Sequence, residues 1–134
     1  MFRVFTLIIV FLFVNAEKYT YASNSSKQLG SIDFSTSVSG TAQTHFLHGV
    51  AALHSFWYTE ALSSFKKSVS LDPEFAMGYW GLAMAHNHPL WEEQDYQSAK
   101  AALSKINKFS KLTQREQDYI HAIRLLYGLS LIHI

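Results

Sequence analysis

From Thr41 onwards, apolar residues return at spacings of three and four in one short stretch after another. That period of about 3.6 residues marks an amphipathic helix and argues against the strict alternation of a half-buried strand. Phe46, Gly49, Val50 and Leu53 form the first stripe, and Ala61, Leu62, Phe65 and Val69 the second. Tyr79, Leu82, Ala83 and His86 form the third, and Tyr96, Ala99, Leu103 and Ile106 the fourth. A fifth runs through Tyr119, Ile120, Ala122, Ile123, Leu126 and Tyr127. Helices this short gain little stability in isolation, so each must bury its stripe on its neighbours. Short connections favour antiparallel neighbours. The expected fold class is all-α, with antiparallel helix pairs stacked in series.

Local punctuation supports that division. Asp72 reads as an N-cap with Pro73 at the first helical position, where no N–H is needed. Asn87-His88-Pro89 stops the third helix, because proline restricts its predecessor and cannot donate. A longer stretch then leads to Asp95, which opens the fourth helix. Thr113 and Glu116 have the spacing of a capping box. Phe56, Trp57 and Tyr58 crowd the corner between the first two helices.

Gly49, Ala61, Phe65 and Pro73 stand at the spacing of the tetratricopeptide signature within a repeat of about 34 residues, and the chain resembles that family. The physical roles are readable directly. Gly49 lets two helices approach closely, Ala61 packs against that thin spot, Phe65 fills the gap to the next pair, and Pro73 closes the loop. Tyr79, Leu82 and Ala83 resemble the first helix of a second repeat, with Ala83 where glycine is usual. Tyr58-Thr59-Glu60-Ala61 and Asp95-Tyr96-Gln97-Ser98-Ala99 look like one corner used twice. Two departures stand out. His45 and His48 occupy positions where large apolar residues are expected, and His88-Pro89-Leu90-Trp91 lengthens the second repeat. HFLHGVAALHSFWYTEAL, FAMGYWGLAMAHNHPLW and TQREQDYIHAI are similar to a group of exported, mostly bacterial tetratricopeptide proteins. The resemblance implies a tetratricopeptide-like solenoid acting as a binding scaffold.

Four segments follow from this reading. Residues 1–16 are expected to be a signal peptide: Arg3 precedes an apolar stretch over 4–14, and Val14 and Ala16 fit a small-residue cleavage site. That stretch is too short to span about 30 Å of hydrocarbon. The expected location is therefore secreted or periplasmic, with no membrane span after signal cleavage. Residues 17–40 are Ser/Thr-rich and read as a flexible arm, with Ile32-Asp33-Phe34 as a brief docked patch. Asn24-Ser25-Ser26 is a glycosylation acceptor triplet. Residues 41–128 hold the helical repeats, truncated after about two and a half. Residues 129–134 match one reading frame of a transposase sequencing adapter. The fifth helix then lacks a following partner, which makes self-association through its unpaired face an expectation.

Function classes narrow by what is missing. A formal net charge of +1 offers no basic field for nucleic acid. The absence of cysteine removes disulfides, thiolate chemistry and cysteine-bound zinc. There is no HExxH, no G-x-S-x-G elbow and no glycine-rich phosphate loop. The reading is a non-catalytic scaffold without a cofactor, binding a protein or an extended peptide. Its groove candidates are His45, His48, Ala52, Tyr79 and His86, with Trp80 and Trp91 as aromatic anchors. The alternative is a histidine-based metal-binding protein or metalloenzyme, in which His45, His48 and His86 meet and act as imidazole ligands. A further alternative is a scaffold for an activity in a missing C-terminal part. A native transcript read past Tyr127 is expected to continue into further helix pairs and a polar cap. A stop at Ile134 would replace that expectation with a small capless domain.

Overall fold

Among the described residues five α-helices form where the five stripes lie: α1 Thr41–His54, α2 Tyr58–Leu71, α3 Ala76–Met84, α4 Tyr96–Ser104 and α5 Gln114–Leu126. A computed structural model describes residues 29–106 and 111–128, all but two of them within the unit Ser31–Ile134. The expected signal peptide, glycosylation triplet and adapter residues lie outside the described residues. Within them the chain is mostly helical, and no helix is long and apolar enough to cross a membrane.

α1 packs along α2, α2 on α3, and α3 on α4, while α3 also meets both α1 and α5. At the centre sits Phe65 of α2, fully buried. Its ring lies against two helices that are thinned to receive it. A Cβ on Gly49 of α1 would stand 2.7 Å from the Phe65 ring, and one on Gly81 of α3 only 2.4 Å. Phe46 closes the layer, with ring centroids 5.8 Å from Phe65 and 5.3 Å from Phe75. Ala61, Ala83 and Ala99 are wholly buried at the helix crossings. Two buried hydroxyls of α2 reach α1: Ser68 Oγ donates to the Ala42 carbonyl at 2.8 Å, and Ser64 Oγ lies 2.8 Å from His48 Nδ1.

Two caps follow the local chemistry. The Asp95 side chain accepts from the Ser98 N–H at the start of α4, and Thr113 and Glu116 make the full reciprocal capping box of α5. The third helix departs from expectation at both ends. Asp72 Oδ1 accepts the Glu74 N–H at 3.0 Å and the Asp72 carbonyl accepts the Phe75 N–H at 3.1 Å. Asp72 therefore builds a turn through its own side chain, as aspartate does readily. Pro73 lies exposed in that turn, and α3 starts only at Ala76. At the other end α3 stops at Met84, so His86 is outside it. The lengthened stretch forms a small hairpin, β1 Asn87–His88 against β2 Glu93–Gln94, antiparallel, with a 3-10 turn over Pro89–Trp91. Glu92 closes the tip in left-handed backbone, φ 53°.

Residues 31–39 are docked, and the expectation of a flexible arm does not hold there. Ile32, Phe34, Thr36 and Val38 are half-buried while their neighbours are exposed, the period of an extended strap. The Phe34 ring touches three helices at once, with centroids 5.4 Å from Phe46, 6.0 Å from Trp80 and 5.2 Å from Tyr119. The Arg115 guanidinium stands over the same ring at 4.6 Å. The Phe34 carbonyl accepts Gln43 Nε2 at 2.7 Å. Further along, the Ser37 N–H and Oγ both donate to Glu116 Oε1, at 2.8 and 2.9 Å. The other carboxylate oxygen takes the Thr113 N–H and hydroxyl, at 2.8 and 2.9 Å.

Glu116 is 1% exposed, so burial alone would raise its pKa. The hydrogen bonds from Ser37 and Thr113 outweigh that and hold it below its ordinary value of 4.5. A group with a depressed folded pKa adds stability above its unfolded pKa and loses it as pH falls through the folded one. Glu116→Gln is therefore expected to lower stability at neutral pH by about 1–3 kcal/mol, because buried donors lose a charged acceptor. Chemical denaturation followed by circular dichroism should show the wild-type and variant curves converging as pH falls below 4.5.

A second expectation concerns the thin spots. Gly81→Ala should gain about 1 kcal/mol of helix propensity yet lose more through overpacking against Phe65, typically about 1–3 kcal/mol. Thermal melts should show a net loss, partly restored in the double variant with Phe65→Leu.

Candidate functional site: an exposed aromatic corner

The junction of α1 and α2 is made without a glycine. The Trp57 N–H reaches back to the Ala52 carbonyl at 2.9 Å and the Phe56 N–H to the Leu53 carbonyl at 3.1 Å. This is the paired pattern in which a helix ends on a left-handed residue, a place glycine usually fills. Here Phe56 fills it, at φ 60°. For a residue with a side chain that conformation costs about 1–2 kcal/mol. Phe56 and Glu92 are the only non-glycine residues with positive φ among the described residues. The corner and the hairpin tip that carry them meet in space.

They meet through aromatic rings. Trp91 stands edge-on to Phe56, centroids 6.3 Å apart, and to Tyr58, 5.8 Å. Tyr58 stacks on the His88 imidazole at 3.9 Å. His88 Nε2 donates to the Ala85 carbonyl at 3.1 Å, which fixes the ring. This cluster faces water: Phe56 is 50% exposed, Trp57 43%, Leu90 66% and Trp91 55%. Glu60, Glu92, Glu93 and Asp95 lie on the same two segments, all exposed, with Glu93 3.5 Å from His88 Nδ1, and neither 56–62 nor 86–96 contains a lysine or arginine. Asp95 is held below its ordinary pKa by hydrogen bonds from Ser98, and so is charged at neutral pH.

The corner recurs without the exposed cluster. Tyr58 and Tyr96 each begin a helix, with Ala61 and Ala99 buried three residues on. Tyr96 packs on Tyr127, centroids 5.8 Å apart, and its hydroxyl donates to the Tyr127 carbonyl. Tyr127 is in turn buried, donates to the Ala83 carbonyl at 2.9 Å, and has a pKa raised by burial.

The residues proposed for a groove are dispersed. Ala52 is wholly buried and offers no groove floor. Trp80 is 7% exposed and packs within the core against Phe34, Phe46 and Tyr119, so it is no ligand anchor. Tyr79 is half-buried and donates to the Pro73 carbonyl at 3.1 Å. His45 is half-buried on α1. His86 Nδ1 lies 3.8 Å from Asp95, and burial lowers its pKa against the opposing pull of Asp95. Of the seven, Trp91 alone belongs to the exposed cluster. His45, His48 and His86 do not come together as metal ligands; among the described residues no three His, Cys, Asp or Glu side chains do.

His48 has serine and glutamate neighbours, which raises the question of a nucleophile. Its Nδ1 is 2.8 Å from Ser64 Oγ and 3.7 Å from Glu60. A relay needs the base and its orienting acid on opposite ring nitrogens. Here both contacts fall on Nδ1, Ser64 is buried, and Nε2 is buried without a partner. The arrangement orients a histidine and activates nothing.

Sequence reading noticed the crowding at Phe56-Trp57-Tyr58 and missed its pairing with Trp91. The left-handed backbone at Phe56 leaves no sequence signal. Comparison of the chain with family models, with curated proteins and with solved structures gives no match.

If Phe56 serves contact rather than packing, Phe56→Gly should leave thermal stability unchanged or raise it by up to about 1 kcal/mol, by relieving left-handed strain. A clear drop in melting temperature would place Phe56 among the residues that hold the corner together.

Proposed function

We propose that this chain is a non-catalytic binding scaffold of tetratricopeptide type, exported, that engages a protein or an extended peptide through its aromatic corner. The row of helix contacts, with α3 meeting α1, α2, α4 and α5, supports the stacked-pair reading. The Phe65 spacing between Gly49 and Gly81 supports it too. One observation carries the functional part: four large apolar side chains lie exposed at one corner, and one of them sits in strained backbone. Aromatic anchors of this kind dominate binding energy at protein interfaces. Retained strain at a surface residue points to use rather than packing. The exposed carboxylates of Glu60, Glu92, Glu93 and Asp95, three of them beside a histidine ring, favour a partner segment that carries lysine or arginine, whose side chains also stack on tryptophan faces.

Selection of a random peptide library on the purified chain tests this. Basic, apolar-containing sequences should be enriched. Trp91→Ala should weaken a selected peptide at least tenfold, about 1.4 kcal/mol, with the melting temperature unchanged. Affinity should fall as salt rises, as expected for exposed charges. Binders indifferent to Trp91→Ala would remove the corner from the proposal.

A further inference from the structure

We infer that the aromatic corner is a cation site for a trimethylammonium group, carried on a methylated lysine of the partner segment. This rests on the corner reading above and names the group the corner takes. Its walls are three rings. Trp91 stands 5.8 Å from Tyr58 at an interplanar angle of 85°, and 6.3 Å from Phe56 at 67°. Rings set at such angles make an angular wall rather than a flat one. A rounded cation can touch more than one of them, where a flat guanidinium lies along one. The walls are also placed in advance. Tyr58 is stacked on the His88 imidazole at 3.9 Å, and the left-handed backbone at Phe56 sets where its ring leaves the chain. A site formed before its ligand arrives loses less on binding.

Other rings of the chain carry a cation of their own. Among the described residues, Lys100 Nζ stands 4.6 Å from the centre of the Tyr96 ring, and the Arg115 guanidinium 4.6 Å from Phe34 and 5.7 Å from Tyr119. Tyr96 opens the recurrence of this corner, and Lys100 follows it by four residues, on the same helical face. Four residues after Tyr58 the chain has Leu62 instead. The exposed corner therefore keeps the rings and adds the carboxylates of Glu60, Glu92, Glu93 and Asp95, while its segments supply no lysine or arginine. Rings and negative charge together attract a cation. A primary ammonium has three donors to satisfy, and rings accept hydrogen bonds only weakly. Glu60, Asp95 and Glu93 already lie beside histidine rings. A trimethylammonium has no donor to leave unmet when it gives up water. Phe56 and Trp91 are half exposed, so they cover one side of such a group. The rest of the hold comes from the peptide around it, against exposed Trp57 and Leu90.

Fluorescence polarisation on the full chain, at constant ionic strength, tests this with labelled peptides. Each peptide is a short sequence of glycine, serine and leucine around one variable side chain. That side chain is lysine, trimethyl-lysine, or a neutral analogue with a tert-butyl group in place of the trimethylammonium. The trimethyl-lysine peptide should bind about tenfold more tightly than either of the others. Trp91→Ala and Phe56→Gly should each remove that preference with the melting temperature kept. Equal binding of the neutral analogue would overturn the inference, because the corner would then be an apolar patch only. Equal binding of the lysine peptide would overturn it too, while leaving the reading of a basic partner standing. If none of the three peptides binds, the inference fails, and Trp91-dependent peptides from the random library then decide whether the corner reading survives it. Capture of phosphatidylcholine vesicles without any preference for the trimethyl-lysine peptide would give the site to a lipid headgroup and overturn the peptide source. A preference that persists in both variants would put the cation elsewhere on the chain.

Discussion

The Phe65 ring, held between Gly49 and Gly81, sets the geometry of everything around it. A benzyl side chain occupies the space that two Cβ atoms would need, so α1 and α3 each approach α2 along a single allowed line. Close-packed interiors transmit such constraints because no slack exists to absorb them. The register of α3 follows from Gly81, and with it the placing of its neighbour Trp80 beside Phe46. The hairpin that leaves α3 is then carried to the α1–α2 corner, where Trp91 meets Phe56 and Tyr58. A contact in the core thus decides which surface side chains assemble.

Much of the helical layout was legible because its signals are local. The five stripes, the Asp95 cap and the Thr113–Glu116 box depend on residues within a turn of one another. The bounds of α3 were not, because Asp72 has two local options and chose a turn with Glu74 over a cap. The candidate groove failed for a different reason. Ala52 and Trp80 lie on apolar helical faces, and periodicity cannot distinguish a face turned to the core from one turned to a ligand. The strap was seen only as a short patch at Ile32-Asp33-Phe34, since its serines and threonines look like those of a loose arm. Its anchor, Glu116, lies 79 residues away, beyond the reach of any local pattern.

Two clusters use aromatic residues in opposite ways. Around Phe34 the rings close on one another and exclude water, and the polar atoms beside them are fully paired. At the corner the rings meet edge to face and remain open to solvent, with exposed carboxylates on the same segments. A helix terminus that glycine would complete without strain carries phenylalanine instead. Stability alone does not account for that choice, since left-handed backbone disfavours it.

The strap also sets an order of events in time. Each helix pair can form from residues close in the chain, but the Ser37–Glu116 bonds join positions 79 apart. Bringing such distant points together costs about 4 kcal/mol of chain entropy by simple loop-closure arithmetic. That cost falls only when the intervening helices have already shortened the path between the two ends. Residues 31–39 are therefore made before the helices and settled after them, waiting through synthesis for α5 to arrive. During that interval this early-made segment is the last to be protected from proteases and chaperones.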